Sequence, residues 1–289
     1  MLRRHPLAAF FGLAYALSWL VWSPLWLPAL GFELLPVLPY HHALGAVGPI
    51  AAAFLVSAAQ FDSRGPRDLL ARMAAWRGRL VWILVGLLGP FALLLLAAGV
   101  AVVVTDVPVP LSGFGRSAEF PQFGAFTFLM YNVVSFGYGE EVGWRGFALP
   151  RLQARRSALA ATVLLSIGWA FWHLPLFLYR PGYMSMGLTG AAAWFLSLLT
   201  GAVLMTWLYN ESRGSLLAVA LFHAAVDVAF TSEITSDFVV NAAGAMITVW
   251  GIVVILMAGP RYLSRKGKMV QLDAQATTIF VKREQSGGG

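Results

Sequence analysis

Long apolar blocks alternate with short polar joints along the chain, and eight of the blocks have the length of a membrane-crossing or fully buried helix. They run approximately Leu7–Leu30, Ala43–Ala59, Leu80–Val104, Phe123–Gly139 continuing through a charged stretch to about Leu149, Ala158–Leu178, Leu188–Tyr209, Leu216–Phe230 and Ala242–Ala258. A hydrocarbon layer about 30 Å thick takes roughly 20 residues of helix to cross. The pattern therefore predicts an all-α, polytopic membrane protein of about eight transmembrane helices. The first block follows Arg3 and Arg4 but is too long for a cleaved signal. It also holds Trp19, Trp22 and Trp26 and has no small-residue cleavage site, so it reads as a retained anchor.

Between the second and third blocks, Phe61–Arg79 reads as an amphipathic surface helix. Leu69, Leu70, Met73 and Trp76 take one side, and Arg67, Arg72, Arg77 and Arg79 face anionic headgroups on the other. From Gly259 the composition turns polar, and residues 261–289 are expected as a disordered cytoplasmic tail behind a single integral domain, residues 1–260. The closing Gly287–Gly289 run reads as an added remnant. No internal repeat is apparent.

Charge placement fixes the expected orientation. With the N-terminus inside, the inner joints carry Arg3 and Arg4; Arg64, Arg67, Arg72, Arg77 and Arg79; Arg145, Arg151, Arg155 and Arg156; Arg213; and Arg261, Arg265, Lys266, Lys268, Lys282 and Arg283. Eighteen of the 20 basic residues are thus inside, and only Arg116 and Arg180 are outside. Cytoplasmic loops are the ones enriched in Lys and Arg, which predicts a plasma (inner) membrane protein with both termini cytoplasmic. Composition agrees: 59% of residues are hydrophobic and 11% charged, against about 25% charged in a soluble domain. The net charge of +7 is explained by this orientation, and no nucleic-acid partner is expected. With no Cys, disulfides, thiolate metal sites and S-acylation are excluded. The expected surroundings are membrane lipids; oligomeric state is not readable.

An ionisable group at mid-bilayer costs about 2.5–3.5 kcal/mol on insertion scales, which makes each one a functional candidate. The stretch Gly139-Glu140-Glu141-Val142-Gly143-Trp144-Arg145 carries three charges within six residues. On a helix Glu141 and Arg145 are four apart and can pair, whereas Glu140 points about 100° away without a local partner. One carboxylate then makes structure and the other is free for chemistry. His173 sits inside the fifth block, just before Pro175. His223 and Asp227 are four apart in the seventh and share a face. His5, His41 and His42 read as solvated, and Gly48-Pro49 as a kink or packing device. Acids and imidazoles on three different spans can meet only in the bundle interior, so a central polar cavity is expected. There they could hold a metal, or activate water and stabilise an oxyanion. No His-Glu-x-x-His, Gly-x-Ser-Gly, Gly-x-Gly-Asp or Walker loop is present.

Three elements together resemble the CPBP intramembrane proteases, also called the ABI family, which includes the type II CAAX prenyl endopeptidases. They are Glu140-Glu141-x-x-x-Arg145; an aromatic four before a histidine, here Trp169 and His173 where Phe is usual; and His223-x-x-x-Asp227. The resemblance is strongest over a motif core at residues 123–230. It implies an eight-helix fold with a cavity opening toward the cytosol, and a catalytic set of Glu140, Glu141, Arg145, His173, His223 and Asp227. In that set Glu140 and His173 activate a water, His223 and Asp227 form the oxyanion side, and Glu141 with Arg145 holds the helix carrying Glu140. It further implies an endopeptidase acting on a membrane-associated peptide, with prenylated CAAX-like ends as one substrate class. No substrate-binding residue can be named. The residues favour no cofactor, because no helix offers a preformed His pair, although a divalent metal stays open. Two other classes compete: a proton- or ion-coupled transporter, and a non-catalytic membrane scaffold of the same fold. Transporters usually show repeats and spread their carboxylates along a path, whereas these cluster; a scaffold would leave a membrane-embedded peptide uncut.

Overall fold

The computed structural model describes residues 3–32, 35–106, 108–234 and 236–283, with only the backbone of Leu111. Each apolar block is helical. The helices are α1 (Pro6–Val21), α2 (His41–Phe61), α3 (Arg64–Met73), α4 (Leu80–Thr105), α5 (residues 125–155), α6 (Ala158–Trp172), α7 (Gly187–Glu211), α8 (Leu216–Thr231) and α9 (Asp237–Ala258). Among the described residues five helices are long and apolar enough to cross a membrane, and α1 makes a sixth if the piece Ser23–Leu30, bent away by 57°, is counted with it. The chain is an all-α integral membrane protein. The other two blocks differ from a plain span for physical reasons. Helix α5 carries the charged stretch, and α8 has only 16 residues, about 24 Å of helix. Helix α8 is instead the centre of the bundle, buried on nearly every side from Leu216 to Ala229 and packed on α4, α5 and α7.

Helix α5 is locally widened on both sides of its acids. Residues Val133–Tyr138 and Val142–Ala148 are π-helical and flank the α-helical turn Gly139–Glu141. Glycine lets neighbours press against these wide turns. A side chain at Gly137 would lie 2.6 Å from the Ala220 carbonyl oxygen of α8, and one at Gly143 would lie 2.6 Å from Pro49 Cβ of α2. Gly48-Pro49 is accordingly a packing device: Gly48 itself sits against Ser18 of α1.

The helix ends sort into two faces. At one, Arg3 Nε donates to the Ala59 carbonyl (2.6 Å) and Arg79 Nε to that of Ser212 (2.7 Å). The Ala158 amide there donates to the Arg261 carbonyl at 2.9 Å. Basic residues of the joints expected inside, among them Arg3, Arg79 and Arg261, gather at this face. At the opposite face Arg180 forks onto Glu119 at 2.6 and 3.1 Å, Gln122 donates to Tyr40, and the Glu233 amide donates to the Arg116 carbonyl.

Two expectations for the basic face are corrected. Arg72 does not point toward headgroups: it is buried, paired with Asp68 at 2.6 Å and donating to the Gly146 carbonyl and the Tyr209 hydroxyl, each at 2.8 Å. The Gly146 carbonyl of the widened α5 gives the guanidinium a partner that local periodicity could not reveal. Nor are residues 262–283 a disordered tail. Strands β1 (Gly267–Val270) and β2 (Ile279–Lys282) pair antiparallel, and Tyr262, Leu263, Met269 and Val270 are buried. Arg151 reaches Gln271 Oε1 at 2.7 Å. The side-chain amides of Gln153 and Asn210 exchange two hydrogen bonds (3.2 and 2.9 Å), and Asn210 also accepts from the Met269 amide and donates to the Tyr262 carbonyl. Gly287–Gly289 lie outside the described residues.

The amide pair makes a testable link. Asn210→Ala strips partners from Gln153, Met269 and Tyr262, and each buried group left unpaired costs about 1–3 kcal/mol. Melting in detergent should therefore fall well below that of the parent protein, with loss of protection against protease cleavage near Met269. An unchanged melt would show that the hairpin is not anchored there.

Candidate functional site

Helices α5, α6 and α8 bring the charged positions together. Glu140 is buried, and its Oε2 accepts from Trp169 Nε1 of α6 at 2.8 Å and, more weakly, from Trp144 Nε1 at 3.4 Å. Oε1 makes no hydrogen bond among the described residues, which leaves it available on the cavity side. The indole of Trp169, in the position where Phe was the usual residue, thus gives a polar contact that Phe could not. His173 caps the C-terminus of α6, and its Nδ1 donates to the Trp169 carbonyl at 2.8 Å. That bond puts the proton of the neutral ring on Nδ1 and leaves Nε2 an acceptor. Tyr183 lies parallel to the His173 ring, and the edges of Trp172 and Trp194 approach it.

Behind these groups, Glu141 and Arg145 pair at 2.8 Å with both side chains fully buried. The spacing had predicted this pair, but it had not predicted that the same oxygen, Glu141 Oε1, also accepts from His223 Nδ1 of α8 at 2.8 Å. Glu141 therefore ties α5 to α8 as well as locking its own turn. The expected hydrogen bond between His223 and Asp227 is correspondingly open: His223 Nε2 stands 3.6 Å from Asp227 Oδ2, beyond hydrogen-bonding range. The Arg145 guanidinium lies over the Trp169 ring, 4.9 Å from its centroid. Its Nε and Nη2, like Glu141 Oε2, are buried without a partner.

Glu140, His173, His223 and Asp227 line a cavity of about 210 Å³. Glu141 and Arg145 do not reach it; they stand behind its wall. A second, more apolar cavity of about 240 Å³ between α7, α8 and α9 meets the same His173, His223 and Asp227 from the other side. The first cavity rises from Glu140 past Asn132, Phe136 and Tyr183 to Ser117, Glu119, Arg180 and Thr231. Glu119, Arg180 and Thr231 belong to the face opposite the basic one.

Sequence reasoning also missed lining residues. His42, expected in solvent, lines the cavity, stacks on Trp22 and shares a 2.8 Å hydrogen bond with Tyr179. His41 is buried, accepting from the Leu38 amide and donating to the Val21 carbonyl. Asn132, buried on α5 and donating to the Phe128 carbonyl, also lines the cavity. A polar residue two turns before the acids of an apolar helix was a usable signal; nothing in the sequence marked the two histidines.

The motif-bearing segment matches a known family. Residues 122–229 fit the profile described as type II CAAX prenyl endopeptidase Rce1-like. Over these 108 of the 289 residues the chain is similar to that family. It is also 25% identical over 166 residues to a protein of Methanococcus maripaludis named CAAX prenyl protease 2. That match spans 54% of this chain and 61% of the relative. The family match runs from the turn before α5 to the C-terminal part of α8. The matched segment thus contains all of Glu140, Glu141, Arg145, His173, His223 and Asp227, whereas α1 to α4 and the terminal hairpin lie outside it.

Proposed function

We propose that the chain is an intramembrane endopeptidase that hydrolyses a peptide bond of a membrane-associated substrate. The observation that carries this reading is one buried cavity lined by Glu140 with a free carboxylate oxygen and by His173 with an acceptor nitrogen. A water held between these two acceptors gives its proton to Glu140 Oε1 as its oxygen attacks the carbonyl carbon. The tetrahedral oxyanion then takes hydrogen bonds from Nε2–H of a doubly protonated His223, whose Nδ1–H stays hydrogen-bonded to Glu141, and from the hydroxyl of a protonated Asp227. Collapse breaks the C–N bond, and the proton on Glu140 passes to the departing amine. Glu141 with Arg145 keeps α5 in place and orients His223 through its Nδ1 proton.

Among the described residues no group of three His, Asp or Glu side chains could hold a metal ion, and a catalytic zinc takes three protein ligands. We therefore derive no step through a metal. Cleavage of a membrane-embedded peptide library by the purified protein, and its loss in Glu140→Gln, tests the reading. Activity should survive exhaustive chelation. Loss on chelation with specific recovery on adding zinc would replace this mechanism by a metal-dependent one, and absence of any cleavage would favour a transporter or scaffold.

Asp227 is the acid where a donor is needed. An ionised carboxylate can only accept, and the 3.6 Å gap to His223 argues against a role confined to orienting that ring. Asp227→Asn, which donates through its amide, should keep most activity. Asp227→Ala should lose about 2–4 kcal/mol of transition-state stabilisation, the size of one oxyanion donor. An Asn variant as inactive as the Ala variant, with both folded, would remove Asp227 from this role.

A further inference from the structure

The ends of the bundle differ in charge as well as in shape. Leaving out the buried Arg72, Arg145 and Arg151, fifteen basic residues still belong to the basic face, against Arg116 and Arg180 at the other. The opposite face carries Asp106, Glu119, Glu233 and Asp237, and one of its two arginines is bound to Glu119. Short loops rich in Lys and Arg stay in the cytoplasm because translocating them is disfavoured. An imbalance of this size, repeated at every second joint of the chain, fixes one orientation. The exposed part of the lining of the cavity that reaches Glu140 is at Glu119 and Thr231, beside half-buried Arg180 and Tyr183, and this mouth is at the acidic face. Access to Glu140 and the basic face therefore lie on opposite sides of the membrane.

We propose that the site opens to the non-cytoplasmic side and takes its substrate from there: an extracytoplasmic juxtamembrane peptide segment, rather than a lipidated C-terminus presented in the cytosol. This rests on the hydrolase reading for the word substrate, but the direction of the opening does not. The mouth favours such a segment on chemical grounds as well. Its floor is aromatic, with Phe120, Phe128, Tyr131 and Phe136, so it can hold an extended apolar stretch as it leaves the bilayer. The Glu119–Arg180 fork at the rim supplies polar groups for the peptide beyond.

The absence of Cys makes the orientation directly measurable. Single cysteines are introduced into the full chain at Ala118 and Thr231, both exposed at the acidic face, and at Ala74, exposed at the basic face. Intact cells are then treated with a membrane-impermeant maleimide, and detergent-solubilised protein serves as the control for folding and thiol reactivity. Ala118→Cys and Thr231→Cys should label in intact cells, and Ala74→Cys only after permeabilisation. The reverse pattern would overturn the proposal and leave the hydrolase reading intact. Labelling at all three positions in intact cells would overturn the single orientation. As a second arm, a single-span reporter carrying the cleavable segment outside should be cut, and one carrying it inside should not. Equal cutting of both, or cutting of the inside reporter alone, would count against the proposal. Failure to cut either, with the labelling as expected, would fault the hydrolase reading alone.

Discussion

Glu140→Gln is expected to remove peptide hydrolysis while leaving the bundle as stable as before. The glutamine amide oxygen can still accept the Trp169 indole proton, now made at 2.8 Å to Oε2, so the change is close to isosteric. What it removes is the basicity of the oxygen facing the cavity. General-base catalysis by a positioned side chain is worth about 10²–10⁴ in rate, and a loss of this size should appear in kcat. Melting in detergent should remain within a degree or two of the parent protein, on the order of the 0.5 kcal/mol typical of neutral changes. A Gln variant that is active, or that is inactive only because it has unfolded, would take the base role from Glu140.

The opposite signature is expected behind the cavity wall. Glu141→Gln and Arg145→Ala each leave a buried charge without its counter-charge, at about 3–5 kcal/mol, and both should melt far below the parent protein. The shared oxygen makes Glu141 the costlier loss: Glu141 Oε1 serves Arg145 and His223 together. The double variant Glu141→Gln/Arg145→Met is expected to recover part of the loss, because removing both charges ends the uncompensated burial. A double variant no more stable than the worse single one would mean that the ion pair itself is not what Glu141 supplies.

How much of this was legible depended on whether the cause was local. The apolar blocks were readable because lipid contact and burial both demand apolar side chains over a whole helix length, and every block proved helical. The Glu141–Arg145 pair was readable because four residues of helix place the two side chains on one face. The same spacing overestimated His223 and Asp227, because Glu141 of another helix holds the other ring nitrogen and leaves the pair 3.6 Å apart. Arg72 and His42 went astray for a common reason. Their polar character suggested solvent, while their partners, Gly146 and Tyr179, come from segments 74 and 137 residues away. In the hairpin, the alternation around Met269 and Ile279 lay inside a polar stretch, and only the Gln153–Asn210 amides reveal what it docks against.

The wide turns of α5 have a further effect. Each π-helical segment spends an extra residue in its turn, which shifts everything after it by about 100° around the axis relative to a regular α-helix. With one such segment before Glu140 and one after Glu141, the start, the middle and the end of α5 are out of phase with one another. A single unbroken rod can thereby aim its first turns at the cavity mouth, its acids at α6 and α8, and its last turns at α3 and the hairpin. No straight stripe along a regular helix could serve all three directions. Removing one residue within Val142–Ala148 should collapse the second wide turn and swing the Leu149–Arg155 end out of register with Gln271 and Asn210, while the acids themselves keep their azimuth.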